Sequence, residues 1–245
     1  MKIIDAYWDQ DITGLKTCDI IFNKTDSYKE FLKEDIDKKY NFSVVKIPAG
    51  NIELVHQLED TGYRYLENQL FLSFNVDQLE NINKKWHKLF KDFTYKEVNR
   101  HTDLDSIIEK VSDNLFVADR YSKDPLWGKN ISSQRYSNWI NILFEKENIM
   151  FYKMIKDQKE VGFFAIRNET DKINSCPIAG IFKEYQYSGY IFVLVWYILK
   201  ISREMNAKQF ITSISSNNIN LLSSFSKAFH YRVNAIYVVL RKVIE

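Results

Sequence analysis

Residues 182–191 read Phe-Lys-Glu-Tyr-Gln-Tyr-Ser-Gly-Tyr-Ile and join a strand-like segment to a long apolar one. The segment from about Gly189 to Met205 is apolar on nearly every side at its start, which predicts a buried helix. Ser188 or Gly189 is the candidate N-cap. A helix N terminus presents unpaired N–H groups and a positive dipole end, which suit a phosphate. The stretch is therefore a candidate anion-binding loop, although an ordinary cap on a core helix has the same pattern.

The chain around this loop alternates between strand-like and helix-like patterns. Upstream, apolar spacing predicts a strand, two helices and three strands, at 94–98, 103–114, 132–144, 148–155, 160–168 and 172–182. Residues 157–159 form the expected hairpin turn, and residues 120–125 a loop rich in turn formers. Downstream of the buried helix, the pattern predicts a strand, a helix and a last strand, at 210–214, 218–228 and 231–243.

The first ninety residues carry their own set of elements. Strands are predicted at 3–8, 17–22, 42–47 and 63–74, and helices at 27–39 and 51–60. Ser27 followed by Glu30 is the signature of a capping box. Residues 75–91 have weak apolar periodicity, so we interpret them as the connection between two parts, with a solvent-facing helix as the equal alternative. The predicted domains are 1–90 and 91–245.

The loop and the segments after it resemble the GCN5-related N-acetyltransferase (GNAT) family. That family has a Gln/Arg-x-x-Gly-x-Gly/Ala loop before a long helix, and Gln186 and Gly189 match two of its three signature positions. Asn218 and the run from Asn218 to Lys227 are similar to the family's second strand–Asn–helix segment. The resemblance implies an α+β fold with a mixed, mostly antiparallel sheet in a three-layer α/β/α arrangement.

The resemblance also implies a site for acetyl-CoA as co-substrate, with no metal. The residues carried over to that site lie on the strand before the loop, in the loop and at the second helix: Ala179, Gly180, Ile181, Gln186, Tyr187, Ser188, Gly189, Tyr190, Ile191 and Asn218. In this family backbone N–H groups of the strand stabilise the oxyanion that forms when an amine attacks the thioester.

Within the family, the chain is most similar to the dTDP-fucosamine acetyltransferase type, which has an additional N-terminal α/β portion. The similar motifs are Trp8-Asp9-x-x-x-x-Gly14, the segment from Leu58 to Leu72, the segment from Asp119 to Pro125, and Tyr136 with Trp139. This resemblance implies a small α/β domain before the GNAT domain. It makes Arg120, Tyr121, Asp124 and Tyr136 candidate substrate residues, while a surface ion pair and core packing are the alternative interpretations.

Two positions depart from the family pattern. Ile191 stands where the loop usually has Gly or Ala, and Phe225 stands where the short helix usually has the Tyr that protonates the thiolate. Phenylalanine has no proton to donate. Tyr187, Tyr190 and Tyr231 are the candidate replacement donors, and packing or surface exposure explains each of them as well. The catalytic residues are therefore left unknown.

Composition limits the remaining function classes. The 245 residues carry 34 Lys+Arg and 32 Asp+Glu, a formal net charge of +2. This balance does not favour an electrostatic nucleic-acid binder. Cys18, Cys176 and the four histidines show no metal-ligand spacing, so we expect no metal and free thiols in a reducing cytoplasm. The most apolar run, 189–199, is shorter than the ~20 residues of a membrane helix, so no membrane partner is expected.

The sequence thus predicts an enzyme that transfers an acetyl group from acetyl-CoA to a small-molecule amine. A nucleotide-linked amino sugar is the acceptor that the subgroup resemblance suggests, and a homodimer is left open. The alternative is a weak or inactive GNAT-fold protein that binds an acyl-CoA or a partner, because of Phe225 and Ile191. A third interpretation, acylation of the amine of a peptide or antibiotic, stays open because the balanced charge does not identify the acceptor.

Overall fold

The predicted strands pair into one mixed sheet. The computed structural model of the protein describes residues 1–81, 89–127 and 129–244. The described strands are β1 (Lys2–Asp5), β2 (Thr17–Ile21), β3 (Phe42–Pro48), β4 (Arg64–Asn75), β5 (Phe93–Val98), β6 (Ile149–Lys156), β7 (Lys159–Thr170), β8 (Ile173–Ser175), β9 (Ala179–Ile181), β10 (Gln209–Ser215) and β11 (Arg232–Val243).

Helices connect these strands and cover the sheet. The described helices are α1 (Tyr7–Thr13), α2 (Tyr28–Leu32), α3 (Ile36–Lys39), α4 (Ile52–Asp60), α5 (His101–Ser112), α6 (Arg120–Lys123), α7 (Lys129–Phe144), α8 (Tyr190–Glu204) and α9 (Ile219–Ala228). A 3₁₀ segment, Val76–Asn81, begins the predicted connection, and residues 82–88 of that connection lie outside the described part of the chain.

Strands from the two ends of the chain are interleaved in the sheet. Its order is β1-β2-β3-β11-β4-β10-β8-β7-β6-β5, with β9 paired to β7. The pairs β2–β3 and β8–β10 are parallel, and the other pairs are antiparallel. β4 lies between β10 and β11, and β11 lies between β3 and β4. The sheet is therefore continuous across residue 90, and the division at 1–90 and 91–245 stays a prediction.

Helices bury both faces of the sheet. On β7, Phe163 packs with residues of α5 and α7, whereas the next residue, Phe164, packs with residues of α8. Successive side chains of a strand point to opposite faces, so a strand covered on both sides is apolar on both. The structure thus has the three layers that the sequence predicts, and the predicted fold class is confirmed.

Two local predictions in the first forty residues are wrong in detail. Tyr7 and Trp8 begin α1 instead of ending the first strand, because Asp9 of α1 is held by Tyr121 and Arg135 from far along the chain. The helix predicted at 27–39 is two short helices, since Asp35 between them has a φ of 48°. Asp tolerates this left-handed backbone better than most residues. The predicted capping box at Ser27 is confirmed.

The strand predicted at 172–182 is divided into β8 and β9. Pro177 lies in the break, and proline has no N–H to donate to a sheet ladder. β8 pairs with the first residues of β10, 209–211, whereas β9 pairs only with β7. Residues 212–215 of β10 therefore continue past the end of β8, and a wedge opens between them and β9.

The contact of β7 with β9 leaves no room for a side chain at Gly162. A Cβ atom there would lie 2.6 Å from the carbonyl oxygen of Gly180. We expect Gly162→Ala to lower the free energy of unfolding by about 1–3 kcal/mol, as overpacking does. Gly50→Ala is the control, because a Cβ there meets open space, and it should change stability by less than about 1 kcal/mol. Urea unfolding measures both, and equal stability of the two variants would contradict a tight β7–β9 contact.

Candidate functional site

One edge of β9 is free of strand partners at the wedge. Ile178 accepts a hydrogen bond from Ala165 of β7, and Phe182 donates one to Val161. Backbone groups alternate between the two sides of an antiparallel strand. Gly180 therefore faces β7 with these two residues, while the N–H groups of Ala179 and Ile181 face the wedge.

The loop after β9 brings the N terminus of α8 to this edge. Gly189 is the N-cap of α8, with a φ of 81°, and no side chain caps the first turn. Ser188, the other candidate cap, instead donates its hydroxyl proton to the carbonyl of Tyr185. The Gln186 side chain donates to the carbonyl of Ile181, with 3.4 Å between Nε2 and O. Gln186 of the predicted loop thus lies against the free edge of β9, and the N terminus of α8 has no side-chain cap.

The three candidate tyrosines lie in different places. Tyr187 is 94% exposed on the loop, with a φ of 67°. Tyr190 packs edge-on against Phe93, 4.8 Å between ring centroids. Tyr231 lines a cavity of about 450 Å³ with Lys208 and Gln209, at the start of β10 and away from the wedge. The structure does not bring these three tyrosines together.

Phe225 lies inside an aromatic cluster. It is 4% exposed and packs edge-on against Phe74, with 5.2 Å between ring centroids. Phe229 and Tyr231 complete the cluster at 6.4 and 6.3 Å. A ring at this position fills the core between α9 and β4.

Asn218 caps α9. Its Oδ1 accepts a hydrogen bond from the N–H of Leu221 at 3.2 Å. Ile191, one residue into α8, is partly buried and packs against the core. A branched side chain at this position therefore has an apolar environment beside the loop.

A buried group of charged residues extends from the wedge to the N-terminal strands. Glu67 of β4 is 3% exposed and accepts a hydrogen bond from Ser215 at the end of β10. Lys46 and Glu67 are each directly opposite Val239 of β11, so all three side chains share one face of the sheet. Asp19 is 8% exposed, and its Oδ2 lies 3.5 Å from Arg120 Nη2 and 3.9 Å from Lys46 Nζ. We call Asp19, Lys46, Glu67 and Arg120 the charged cluster.

The two acids of the charged cluster have opposite pKa shifts. Burial raises the pKa of the Glu67 carboxyl, and the hydrogen bond from Ser215 and the Arg120 charge only partly oppose it. Burial would also raise the pKa of Asp19, but the charges of Arg120 and Lys46 outweigh burial and lower it. One carboxyl is thus poised to take up a proton, and the other stays ionised.

The predicted substrate residues lie in or beside this cluster. The loop predicted at 120–125 contains one helical turn, α6, which Asp119 caps by accepting from Tyr121 and Ser122. Arg120 donates to Tyr121 Oη at 3.1 Å, and Tyr121 Oη donates to Asp9 Oδ2 at 2.6 Å. Of the four predicted residues, Arg120 alone belongs to the charged cluster.

The other three predicted residues have neighbours that hold them in place. The Arg135 guanidinium lies 4.0 Å from the centre of the Tyr121 ring. Asp124 binds Arg241 through both oxygens, at 2.9 and 3.0 Å. Tyr136 packs against Phe116, with 4.5 Å between ring centroids, and burial raises its pKa.

Comparison with solved structures decides the fold. A protein of unknown function from Staphylococcus epidermidis has a TM-score of 0.62 and 14% identity, with 94% of this chain and 85% of that chain covered. A GCN5-related N-acetyltransferase from Sphaerobacter thermophilus has a TM-score of 0.58 and 14% identity, with 83% and 60% covered. The chain has the GNAT fold. The match covers 60% of the Sphaerobacter protein, so this chain spans less than two thirds of that protein's length.

A third GNAT-fold structure has a comparable layout. A tandem GNAT protein from the clavulanic acid biosynthesis pathway has a TM-score of 0.52 and 7% identity, with 89% of this chain and 67% of that chain covered. No protein-family model matches the sequence, and a search of curated proteins finds no match. The GNAT fold is thus carried by structure at identities too low to assign an activity.

Sequence reasoning did not find three members of the charged cluster, Asp19, Lys46 and Glu67. Asp19 and Lys46 are each a charged residue inside a strand whose neighbours are mostly apolar, as in Val44-Val45-Lys46-Ile47, whereas Glu67 is followed by the polar residues Asn68 and Gln69. That pattern was the available signal, because a lone charge inside a buried strand has to be compensated.

The described residues limit other kinds of site. Among the described residues, no group of three or more His, Cys, Asp or Glu side chains could hold a metal ion. His87 lies outside the described residues. Both cysteines are free thiols. No described helix is long and apolar enough to cross a membrane.

The cap on α9 has a matched counterpart on α4, where Asn51 Oδ1 accepts from Leu54 N–H at 3.3 Å. We expect Asn218→Ala and Asn51→Ala each to lower the free energy of unfolding by about 1 kcal/mol, the usual cost of losing such a cap. Urea unfolding of the two variants checks this. If Asn218→Ala keeps full stability while Asn51→Ala loses it, Asn218 is not a structural cap.

Proposed function

We propose that this protein is an N-acetyltransferase that uses acetyl-CoA and a small-molecule primary amine. The observation that carries the proposal is the wedge: a strand edge with free N–H groups, an uncapped helix N terminus and a buried carboxyl lie around one opening. GNAT-fold neighbours described as N-acetyltransferases support acetyl transfer as the general reaction.

The residues at the wedge fit an acyl-CoA. The first-turn N–H groups of α8 suit its pyrophosphate, and Gly189 lets that group approach the backbone. The outward N–H groups of Ala179 and Ile181 are placed to donate to an amide or carbonyl lying along β9. Bound acetyl-CoA supplies a thioester carbonyl and a thiolate leaving group. Because Ile191 packs into the core, we expect its side chain to leave this approach open.

Glu67 is the proposed general base. A base must reach the proton that it removes and needs a pKa closer to neutral than an ordinary carboxyl has. Burial supplies the raised pKa, and the hydrogen bond from Ser215 fixes the carboxyl at the β10 side of the wedge. Glu67 would take a proton from the amine while the N–H groups of β9 stabilise the oxyanion. A thiolate leaves without protonation more readily than an alkoxide does. The proposed reaction therefore does not require a Tyr at position 225 to protonate the leaving group.

For the acceptor we propose a nucleotide-linked amino sugar as the first compound to assay, on the resemblance to the dTDP-fucosamine acetyltransferase type. The second candidate function is binding of an acyl-CoA or a partner with weak or no catalysis, and the observation that favours it is Phe225. Cytoplasmic location and a homodimer stay predictions.

The carboxyl of Glu67 is the group to test. We expect Glu67→Gln to lower kcat for acetyl transfer by about 100-fold, as loss of a general base does, with little change in acetyl-CoA affinity. The wild-type rate should rise with pH through the raised pKa of Glu67, and the variant should lose this rise. Glu109→Gln, exposed on α5, is the control. Calorimetry with acetyl-CoA and steady-state kinetics give both readouts.

Two results would contradict the proposal. If the folded wild-type protein binds neither acetyl-CoA nor CoA, the proposal of acetyl transfer is contradicted as a whole. Normal turnover by Glu67→Gln, with an unchanged pH profile, would show that Glu67 is not the general base, while acetyl transfer itself would still stand.

Phe225→Tyr separates the two candidate functions. The new hydroxyl would be buried among the rings of Phe74, Phe229 and Tyr231, so we expect a loss of about 1–3 kcal/mol in stability and no gain in turnover. Thermal unfolding and the acetyl-transfer assay measure the two effects. A rise of about tenfold or more in turnover, which corresponds to an activation free energy lower by about 1.36 kcal/mol, would instead show an enzyme that lost its acid.

A further inference from the structure

The cavity of about 450 Å³ that Tyr231 lines lies at the end of β10 opposite the wedge. It is found where β4 ends and where β10 and β11 begin, so Asn75, Gln209 and Arg232 all line it. Gln209 and Ser215 are the two ends of β10, about 20 Å apart at the usual rise of a strand. The cavity is therefore a separate place from the proposed acyl-CoA site.

Three basic side chains line this cavity, which we call the basic cavity. They are Lys208, just before β10, and His230 and Arg232, where β11 begins. None of the described residues that line the cavity is acidic. Asn75 and Gln209 are directly opposite each other on β4 and β10, and they add two amide groups. The lining thus offers positive charge and hydrogen-bond donors, a combination that suits an anion.

The two fixed charges of the basic cavity differ in what they already bind. Lys208 Nζ lies 3.3 Å from Asp77 Oδ2, and both side chains are exposed. The Arg232 guanidinium is also exposed, and it forms no ion pair or hydrogen bond with the residues that the structure describes. A guanidinium presents five N–H donors in a planar fork that matches the oxygens of a phosphate. Arg232 is therefore the group that a ligand would bind first.

Charge and size together select the class of anion. A phosphate monoester carries nearly two negative charges at neutral pH, which match the charges of Lys208 and Arg232. A single phosphate group fills only a small part of 450 Å³, a volume within the roughly 300–1,000 Å³ of small-molecule sites. The cavity thus has room for a phosphate together with a polar group the size of a sugar or a nucleoside.

We propose that the basic cavity binds the phosphate monoester of a small polar molecule, a sugar or a nucleoside, with the phosphate on Arg232 and Lys208. The imidazole of His230 adds a ring N–H donor, and the attached group lies against Tyr231 and the amide of Gln209. This site does not depend on acetyl transfer, because it shares no residue with the wedge.

Calorimetry with the purified protein tests the ligand class. The probes are inorganic phosphate, glucose 6-phosphate and adenosine 5′-monophosphate, with glucose and adenosine as the neutral counterparts of the two esters. We expect at least one ester to bind about tenfold or more tightly than inorganic phosphate and than its own neutral counterpart. The tighter of the two esters identifies the attached group as a sugar or a nucleoside. If neither ester binds more tightly than inorganic phosphate, the proposal is overturned.

Variants locate the bound ester. Arg232→Gln should weaken its binding about tenfold or more, because a charge-assisted hydrogen bond is lost. Arg64→Gln, an exposed arginine at the other end of β4, is the matched control and should leave the affinity unchanged. Asp77→Asn should tighten binding about threefold, since it frees Lys208 from a competing carboxylate. A gain of this kind cannot come from misfolding. An affinity that neither Arg232→Gln nor Asp77→Asn changes would place the ester elsewhere and overturn the proposal.

Competition with CoA separates the two sites. CoA carries phosphates of its own, but the preferred ester should bind equally well to the protein saturated with CoA, and Arg232→Gln should leave CoA affinity unchanged. If CoA displaces the ester and Arg232→Gln weakens both ligands, the basic cavity is part of the CoA site and a separate site is overturned. If CoA does not bind but the ester binds through Arg232, acetyl transfer is contradicted and the basic cavity stands.

Discussion

The pairing of β4 with both β10 and β11 is the constraint on which the candidate site depends. β4 comes before the predicted connection at residues 75–91, yet its neighbours in the sheet, β10 and β11, come from the last forty residues of the chain. This placement carries Glu67 to the end of β10, where the wedge opens. Without this pairing, nothing would bring Glu67 of the charged cluster close to the β10 side of the wedge.

Burial of the charged cluster costs stability that the fold offsets elsewhere. Two carboxyls, an ammonium and a guanidinium lie where most proteins place apolar side chains, and two carboxylate oxygens lack a donor. Replacing a whole buried set of charges by apolar residues is often neutral or stabilising, and functional sites commonly carry such a cost. The apolar layers on both faces of the sheet provide the offset.

Local signals in the sequence predict much of the fold, including the loop and the helix that border the wedge. The buried helix after Gly189, the helix predicted at 218–228 and the capping box at Ser27 each need only a few neighbouring residues to be identified. The charged cluster was not predictable in this way. Lys46 and Glu67 meet because strands distant in sequence align on one face, and Arg120 reaches Asp19 across 101 residues. The pairing register of strands that are distant in the sequence cannot be predicted from one sequence alone.

Residue-resolved amide hydrogen exchange with and without CoA tests the donor site most directly. The N–H groups of Ala179 and Ile181 face the wedge and should exchange quickly in the free protein and slow down when CoA binds. Gly180 and Phe182, whose N–H groups face β7, should be protected in both states. CoA binding that leaves Ala179 and Ile181 unprotected, or protects only residues away from β9 and the start of α8, would contradict the account.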